Sequence, residues 1–253
     1  MTDAPALAGE TALVTGASSG IGRATALELA RAGGDVVLAA RREGRLEELA
    51  DEIAAESRGE ALVVPTDVTD EAQVETLFAA ADEAFGGVDV VVSNAGVGHA
   101  APVETMSTAD YRAVMDVNVD GTFFVARAAI PHLRESAGVL VFLGSFAAHF
   151  PRPVQPVYAA SKAWTRAFAR SLAGQVGDQG IAVTVVNPTG VPTELGEEYD
   201  QSATDRFPAE AFPSARQVAE AIAFAARQEP PGTVFELDLF RRAEFSGWSV
   251  GEE

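Results

Sequence analysis

The chain has 253 residues, 47% of them apolar, which is enough for one large α/β domain with a sizeable buried core. Its 37 acidic residues against 18 basic ones give a net charge of −19, which argues against a general binder of nucleic acid or of anionic membranes, since both need a cationic face. There is no cysteine, which excludes disulfides, cysteine–metal sites and a thiol nucleophile, and 17 of the 18 cations are arginine, so Lys162 is the only lysine.

Taken in chain order, apolar runs of strand length alternate with segments of helical period. Thr11–Thr15 reads as a strand and Ile21–Ala32 as a helix. Asp35–Ala39 is a strand, and Arg45–Glu56 a helix with apolar Leu46, Leu49 and Ile53. Ala61–Pro65 is a strand, Glu71–Phe85 a helix and Val88–Ser93 a strand. Two helical stretches, Ala109–Met115 and Thr122–Glu135, are close enough to form one long helix. Val139–Leu143 is a strand, followed by a helix over Val157–Gln175 and a strand over Ile181–Val186. Thr189–Pro213 is polar and irregular, Ala215–Arg227 is helical, and Thr233–Phe240 reads as the last strand. Strands that are apolar throughout and separated by helices imply a parallel sheet covered on both faces. The expectation is a single-domain, doubly wound, Rossmann-like α/β fold of about seven strands, spanning residues 1–253 without a linker. In such sheets ligands bind outside the carboxyl ends of the strands. The residues at those ends are chemically unusual for loops: Gly16–Gly22, Arg41 and Arg42, Asp67, Asn94–Gly96, Ser145 and Asn187–Gly190.

Thr15-Gly16-Ala17-Ser18-Ser19-Gly20-Ile21-Gly22 follows the first strand and opens the first helix. Glycines there allow a tight turn and let a pyrophosphate approach the helix N-terminus, where free N–H groups and the dipole favour an anion. The spacing is G-x3-G-x-G rather than the commoner G-x-G-x-x-G. The acidic residue expected about 20 residues on, which would bind a ribose 2′-hydroxyl, is missing. Ala40, Arg41 and Arg42 stand there instead, and guanidinium groups suit a 2′-phosphate, so NADP is favoured over NAD. The competing reading has these arginines capping the second strand or pairing with Glu43 and Glu47.

Tyr158 and Lys162 are four apart on a predicted helix and share a face. An ammonium beside a phenol favours the phenolate, and such a phenol can donate a proton to a carbonyl oxygen or take one from an alcohol. Ser145, at the end of the preceding strand, could hydrogen-bond the same oxygen. A Y-x-x-x-K pair is commonly a plain surface pair. A chain that uses arginine at 17 positions and lysine at one points to a place that needs an ammonium.

With these elements together, the chain resembles the short-chain dehydrogenase/reductase family of the 250-residue type over nearly its whole length. Thr15–Gly22 matches that family's cofactor loop, with Gly16, Ser18, Ser19, Gly20, Ile21 and Gly22 as contacts. Asp67-Val68 matches its adenine-contact pair and Asn94-Ala95-Gly96 its strand-four motif. Asn118, Ser145, Tyr158 and Lys162 match its catalytic tetrad, spaced by 27, 13 and 4 residues. The resemblance implies Tyr158 as general acid/base, Ser145 orienting the reacting oxygen, Lys162 holding the nicotinamide ribose, and Asn118 positioning a water in a proton relay. It implies nicotinamide contacts from Pro188, Val191 and Thr193, a substrate lid within residues 189–213, and a homodimer or homotetramer paired through the long helices. The family usually reads N-P-G-x-V-x-T, whereas this chain has Asn187-Pro188-Thr189-Gly190-Val191-Pro192-Thr193. A positive φ at the second position would strain Thr189, leaving Gly190 to absorb the bend.

His99 and His149 follow strand ends and are candidates to line the substrate mouth; His132 reads as structural, and no metal-binding arrangement stands out. Glu194, Glu197, Glu198, Asp200 and Asp205 in the lid would disfavour strongly anionic substrates. The expected activity is NADP(H)-dependent interconversion of a carbonyl and an alcohol on a small molecule, with NAD a possible cofactor. Reduction of a 3-oxoacyl group on a carrier protein ranks lower, because acidic carriers would be repelled. A non-catalytic nucleotide sensor or a halohydrin dehalogenase-like lyase would lose the tyrosine or the lysine. No cationic–apolar leader opens the chain and no apolar run approaches the about 18 residues of a membrane span, so a cytoplasmic protein is expected. The acid excess reads as an adaptation to high salt.

Overall fold

The computed structural model describes residues 6–192 and 212–245. The elements run β1 (Thr11–Thr15), α1 (Gly20–Arg31), β2 (Asp35–Ala40), α2 (Glu43–Glu56), β3 (Ala61–Pro65), α3 (Glu71–Phe85), β4 (Val90–Ser93) and α4 (Thr108–Met115). A π turn (Asp116–Gly121) leads into α5 (Thr122–Ser136), then β5 (Val139–Leu143), a 3₁₀ turn (Phe146–Ala148), α6 (Pro156–Val176), β6 (Ala182–Pro188), α7 (Ala215–Ala226) and β7 (Glu236–Leu239). One seven-stranded sheet has the order β3-β2-β1-β4-β5-β6-β7, and every pairing in it is parallel. This is the doubly wound α/β fold expected from the alternation of elements.

The side-chain period of two explains how a strand can be apolar throughout. Ala12 and Val14 of β1, with Val36 and Leu38 of β2, face a layer formed by α1, α2 and α7 (Ala26, Leu29, Leu46, Leu49, Val218 and Ile222 among others). Leu13, Val37, Val91, Leu140 and Phe142 face the opposite layer, formed by α3, α5 and α6 (Leu77, Phe78, Val125, Leu133, Ala169 and Leu172). β1 lies between β2 and β4, so the strand order reverses beside it. The loops leaving β1 and β4 therefore diverge to opposite faces and open a crevice.

Two differences from the sequence reading, and one junction it left open, have physical causes. The two helical stretches join through the π turn as one continuous path, because a widened turn inserts one extra residue without breaking the helix. β4 starts at Val90, while Asp89 accepts the Thr11 N–H on its carboxylate at 2.7 Å. β7 shrinks to Glu236–Leu239, the four residues that pair in register with Val185–Pro188 of β6.

Candidate active site

The carboxyl edge of the sheet gathers the residues singled out from the sequence. The glycine loop leaves β1, Arg41 and Arg42 leave β2, Asp67 leaves β3, Asn94 leaves β4, Ser145 leaves β5 and Asn187 ends β6.

At β1, Gly16 has φ +67° and Gly20 φ +55°, the left-handed region where a side chain is strained. A Cβ on Gly16 would lie 2.7 Å from Asn94 Nδ2, and one on Gly22 would run into the Gly16 carbonyl oxygen. Asn94 is placed by two bonds to Thr15: its backbone N–H donates to Thr15 Oγ1 at 3.0 Å, and its Nδ2 donates to the Thr15 carbonyl at 2.7 Å. Ala95 N–H donates to the same hydroxyl at 3.1 Å. The strand-four motif thereby ties β4 to the start of the glycine loop, and a Cβ on Gly96 would stand 3.4 Å from both Asn118 Oδ1 and Lys162 Nζ.

The start of α1 carries the observation that fits a dinucleotide. Ser19 at its N-cap makes no side-chain cap bond, and the first turn has no acidic residue. α3, by contrast, is capped by Asp70, which accepts from Ala72 and Gln73 N–H. An uncapped N-terminus leaves N–H groups and the positive end of the dipole for an outside anion. Arg42 lies over this loop, its Nη2 donating to Ser18 Oγ at 3.0 Å and Ser19 Oγ at 2.8 Å; Arg41 is exposed beside it. Asp67 Oδ1 accepts from Thr69 N–H and hydroxyl at 3.0 and 2.8 Å. Val68 is buried against Gly121 of the π turn. These residues could hold a nicotinamide dinucleotide, with the uncapped start of α1 suited to its pyrophosphate.

Of the four motif positions, Tyr158 and Lys162 share one face of α6, Asn118 is tied to that helix through Ser161, and Ser145 leaves β5. Lys162 is 5% exposed and donates from Nζ to the Leu143 carbonyl at 2.8 Å. Burial alone pushes its ammonium down from 10.5 to about 8. Its Nζ stands 5.9 Å from the centre of the Tyr158 ring, as expected one turn along one helix face. Asn118, 1% exposed, sits in the π turn. Its Oδ1 accepts Val97 N–H at 2.8 Å, while Nδ2 donates to the Val97 carbonyl at 2.9 Å and to Ser161 Oγ at 3.0 Å. Ser161 Oγ passes its proton on to the Tyr158 carbonyl at 2.7 Å. Both Nδ2 protons are spent on holding α6 to the loop after β4, and one Oδ1 lone pair stays open. Ser145 Oγ accepts from Ala147 N–H at 3.1 Å, which leaves its own proton to donate. Ser161 and the π turn were not singled out from the sequence; a serine before a lysine in a helix carries no distinguishing pattern.

The departure at Thr189 costs no strain. Among the described residues Ala137 is the only non-glycine with positive φ, and Gly190 is not among the positive-φ glycines. Thr189 N–H donates to the Leu239 carbonyl at 3.0 Å, so it continues the β6–β7 pairing instead of turning. Pro188 ends β6, and Val191 packs on the core layer formed by α1 and α7. Thr193 and the acidic lid residues Glu194, Glu197, Glu198, Asp200 and Asp205 lie outside the described residues.

The histidines are placed as follows. His99 Nε2 is 3.7 Å from Asp110 Oδ2, and His132 stacks on Phe78. His149 Nε2 lies 3.3 Å from Glu236 Oε1 and 3.2 Å from Asp238 Oδ1. The last three residues are spaced as cation ligands would be, a grouping the sequence hides because His149 is some 90 positions from β7. The carboxylate oxygens are already engaged, however: Arg166 Nε and Asn187 Nδ2 donate to Glu236 Oε1 at 2.5 and 2.8 Å, and Asn187 Nδ2 donates to Asp238 Oδ1 at 2.9 Å. The two carboxylates thus belong to a network with Arg166 and Asn187, and His149 Nε2 lies beside them without a hydrogen bond.

Comparison with known proteins agrees with this geometry. Residues 10–204 match the short chain dehydrogenase family, and the chain belongs to it; it is an NAD(P)-dependent oxidoreductase. An uncharacterized oxidoreductase of Staphylococcus aureus is 32% identical over 234 residues, covering 92% of this chain and 97% of the relative. A 3-ketoacyl-(acyl-carrier-protein) reductase from Brucella melitensis, solved with NADH, superposes with a TM-score of 0.85 at 32% identity over 93% of this chain and 98% of its own. An alcohol dehydrogenase from the archaeon Thermococcus sibiricus, solved with 5-hydroxy-NADP, gives 0.84 at 27% identity over 96% and 99%. No helix among the described residues is long and apolar enough to cross a membrane.

Proposed function

We propose that this protein interconverts a small ketone or aldehyde and the corresponding alcohol, with NADP(H) as the preferred cofactor. The observation that carries the reaction is the lone lysine: a buried ammonium anchored on the Leu143 carbonyl, 5.9 Å from the Tyr158 ring, at the carboxyl edge of the sheet. A bound nicotinamide would deliver or accept the hydride. Tyr158 then gives its phenolic proton to the carbonyl oxygen, and the Lys162 charge favours the phenolate that results. Ser145, with its hydroxyl proton free, hydrogen-bonds the same oxygen and holds it in line. Asn118 keeps α6 seated by way of Ser161.

Arg42 on Ser18 and Ser19 supports NADP, because a guanidinium already poised at the loop can take a 2′-phosphate where a carboxylate would repel it. The likeness to a ketoacyl reductase keeps 3-oxoacyl thioesters as the second reading; the charge of −19 ranks them below small free carbonyl compounds. The aromatic face formed by Phe123, Phe124, Phe168 and Trp164 supports a homodimer or homotetramer packed through α5 and α6, and a cytoplasmic enzyme accords with the cofactor.

The test is a panel of carbonyl compounds, alcohols and 3-oxoacyl thioesters with NADPH and NADH, followed spectrophotometrically. Turnover with NADPH is expected, and Tyr158→Phe should lower kcat by roughly 10²- to 10⁴-fold with cofactor binding retained. A Tyr158→Phe variant at near-parental rate would defeat the mechanism, and preference for NADH in the parent would defeat the cofactor assignment.

A further inference from the structure

Tyr158, Lys162 and Arg166 follow one another at intervals of four and form one stripe along α6. The third member of the stripe leaves the helix for the sheet edge. Arg166 Nε and Nη2 donate to the two oxygens of Glu236 on β7, at 2.5 and 3.0 Å. Glu236 Oε1 also accepts from Asn187 Nδ2 at 2.8 Å. Asn187 is fully buried, and its other side-chain atom, Oδ1, accepts the Ser145 N–H at 3.2 Å. The chain entering Ser145 presses on that amide, for a Cβ on Gly144 would run into Asn187 Oδ1. His149, four residues past Ser145, reaches the same carboxylate and that of Asp238. Glu236 therefore touches the holders of both groups that meet the substrate oxygen. Arg166 ties Glu236 to the helix of Tyr158, while Asn187 ties it to the backbone at Ser145.

We infer that Glu236 is a positioning residue, setting the separation of Ser145 from Tyr158 through Arg166 on one side and Asn187 on the other. The inference rests on the roles of Ser145 and Tyr158 proposed above. A bidentate guanidinium–carboxylate pair fixes direction as well as distance, and it stands on β7, which among the described residues pairs with β6 alone. Arg166 also keeps the Glu236 carboxyl below its ordinary range, so the pair stays ionised.

The test compares Glu236→Gln, which keeps volume and one acceptor oxygen but cannot receive Arg166 with two, with Arg166→Gln and the double variant. Glu236→Gln is expected to lower kcat by about 10- to 100-fold while the Kd for NADPH stays within about twofold and Tm moves little. Arg166→Gln should match it, and the double variant should lose no more than the worse single one. Parental kcat in Glu236→Gln, losses that multiply in the double variant, or kcat, Kd and Tm falling together would overturn the inference. Amide hydrogen exchange on the cofactor-free protein gives a readout that needs no turnover. Faster exchange in both 143–149 and 156–166 supports the inference, and a change confined to β7 overturns it. Failure of the oxidoreductase reading itself shows separately, as absence of turnover in the parent or indifference to Tyr158→Phe.

Discussion

At the β1 end of the carboxyl edge, the parts suited to a dinucleotide come from one stretch, residues 15–22, steadied by Asn94 and overlain by Arg42. At the β5–β7 end, Ser145 is held by Asn187, 42 residues further on, and Asn187 by Glu236, another 49 residues on. The first region is built from local chain geometry: two positive-φ glycines and an uncapped helix start. The second is built from contacts that exist only once three strands and a helix have come together. A region of the first kind should be sensitive to backbone crowding, and one of the second kind to loss of a single polar partner.

The largest expected effect lies where the two regions meet. Lys162→Met should lower kcat by roughly 10²- to 10⁴-fold, measured with the best substrate of the panel. The same residue gives a pH signature. The unfolded chain holds the lysine proton up to 10.5, the folded chain only to about 8, so the folded state carries its full burial penalty below pH 8. That penalty fades as the pH rises from 8 to 10.5. Relative to Lys162→Met, the cofactor-free parent should gain about 3 kcal/mol across that window. Urea unfolding of the two proteins at pH 7.5 and 10.5 checks the sign; a constant difference would contradict the buried ammonium.

Backbone crowding comes next. Gly22→Ala drives a methyl into the Gly16 carbonyl and should cost about 1–3 kcal/mol together with most cofactor affinity, read by thermal unfolding with and without NADPH. Polar loss at the cofactor end is smaller. Arg42→Ala should raise KM for NADPH by about 10- to 100-fold and leave KM for NADH nearly unchanged; an equal effect on both would move Arg42 from phosphate recognition to loop support. The smallest effect belongs to the surface. Glu47, Glu48 and Asp51 of α2 are exposed, and screening of a −19 chain should raise Tm by a few degrees from low to molar salt. An unchanged Tm would remove the high-salt reading of the composition.

Legibility followed the same division. β1, β3 and β5 and helix α3 begin and end where hydrophobic period and turn residues place them, because each apolar run is closed off by turn-forming or polar residues. β7 was overread by four residues, because only Glu236–Leu239 meet β6 in register. The glycine loop, Asn94, Asn118, Ser145, Tyr158 and Lys162 were all readable as motif positions. The strain feared at Thr189 was not, since whether that residue turns or extends is decided by its bond to the Leu239 carbonyl. Ser161, Asn187 as the holder of Ser145, and the grouping of His149, Glu236 and Asp238 left no mark in the sequence.

By itself, then, the sequence determined the alternation that makes a doubly wound sheet, the loop conformation that only glycine allows at Gly16 and Gly20, and the pairing of Tyr158 with Lys162. Each is a short-range property: a period, a φ angle, a one-turn spacing. Tertiary structure alone decided what those groups are fastened to. The Lys162 ammonium loses its solvent only when Leu143 and Gly96 close over it, and Glu236 reaches Arg166 and Asn187 only when β7 pairs in register with β6. Burial and long-range polar contact depend on where distant segments stop against one another, and no local pattern of residues encodes that distance.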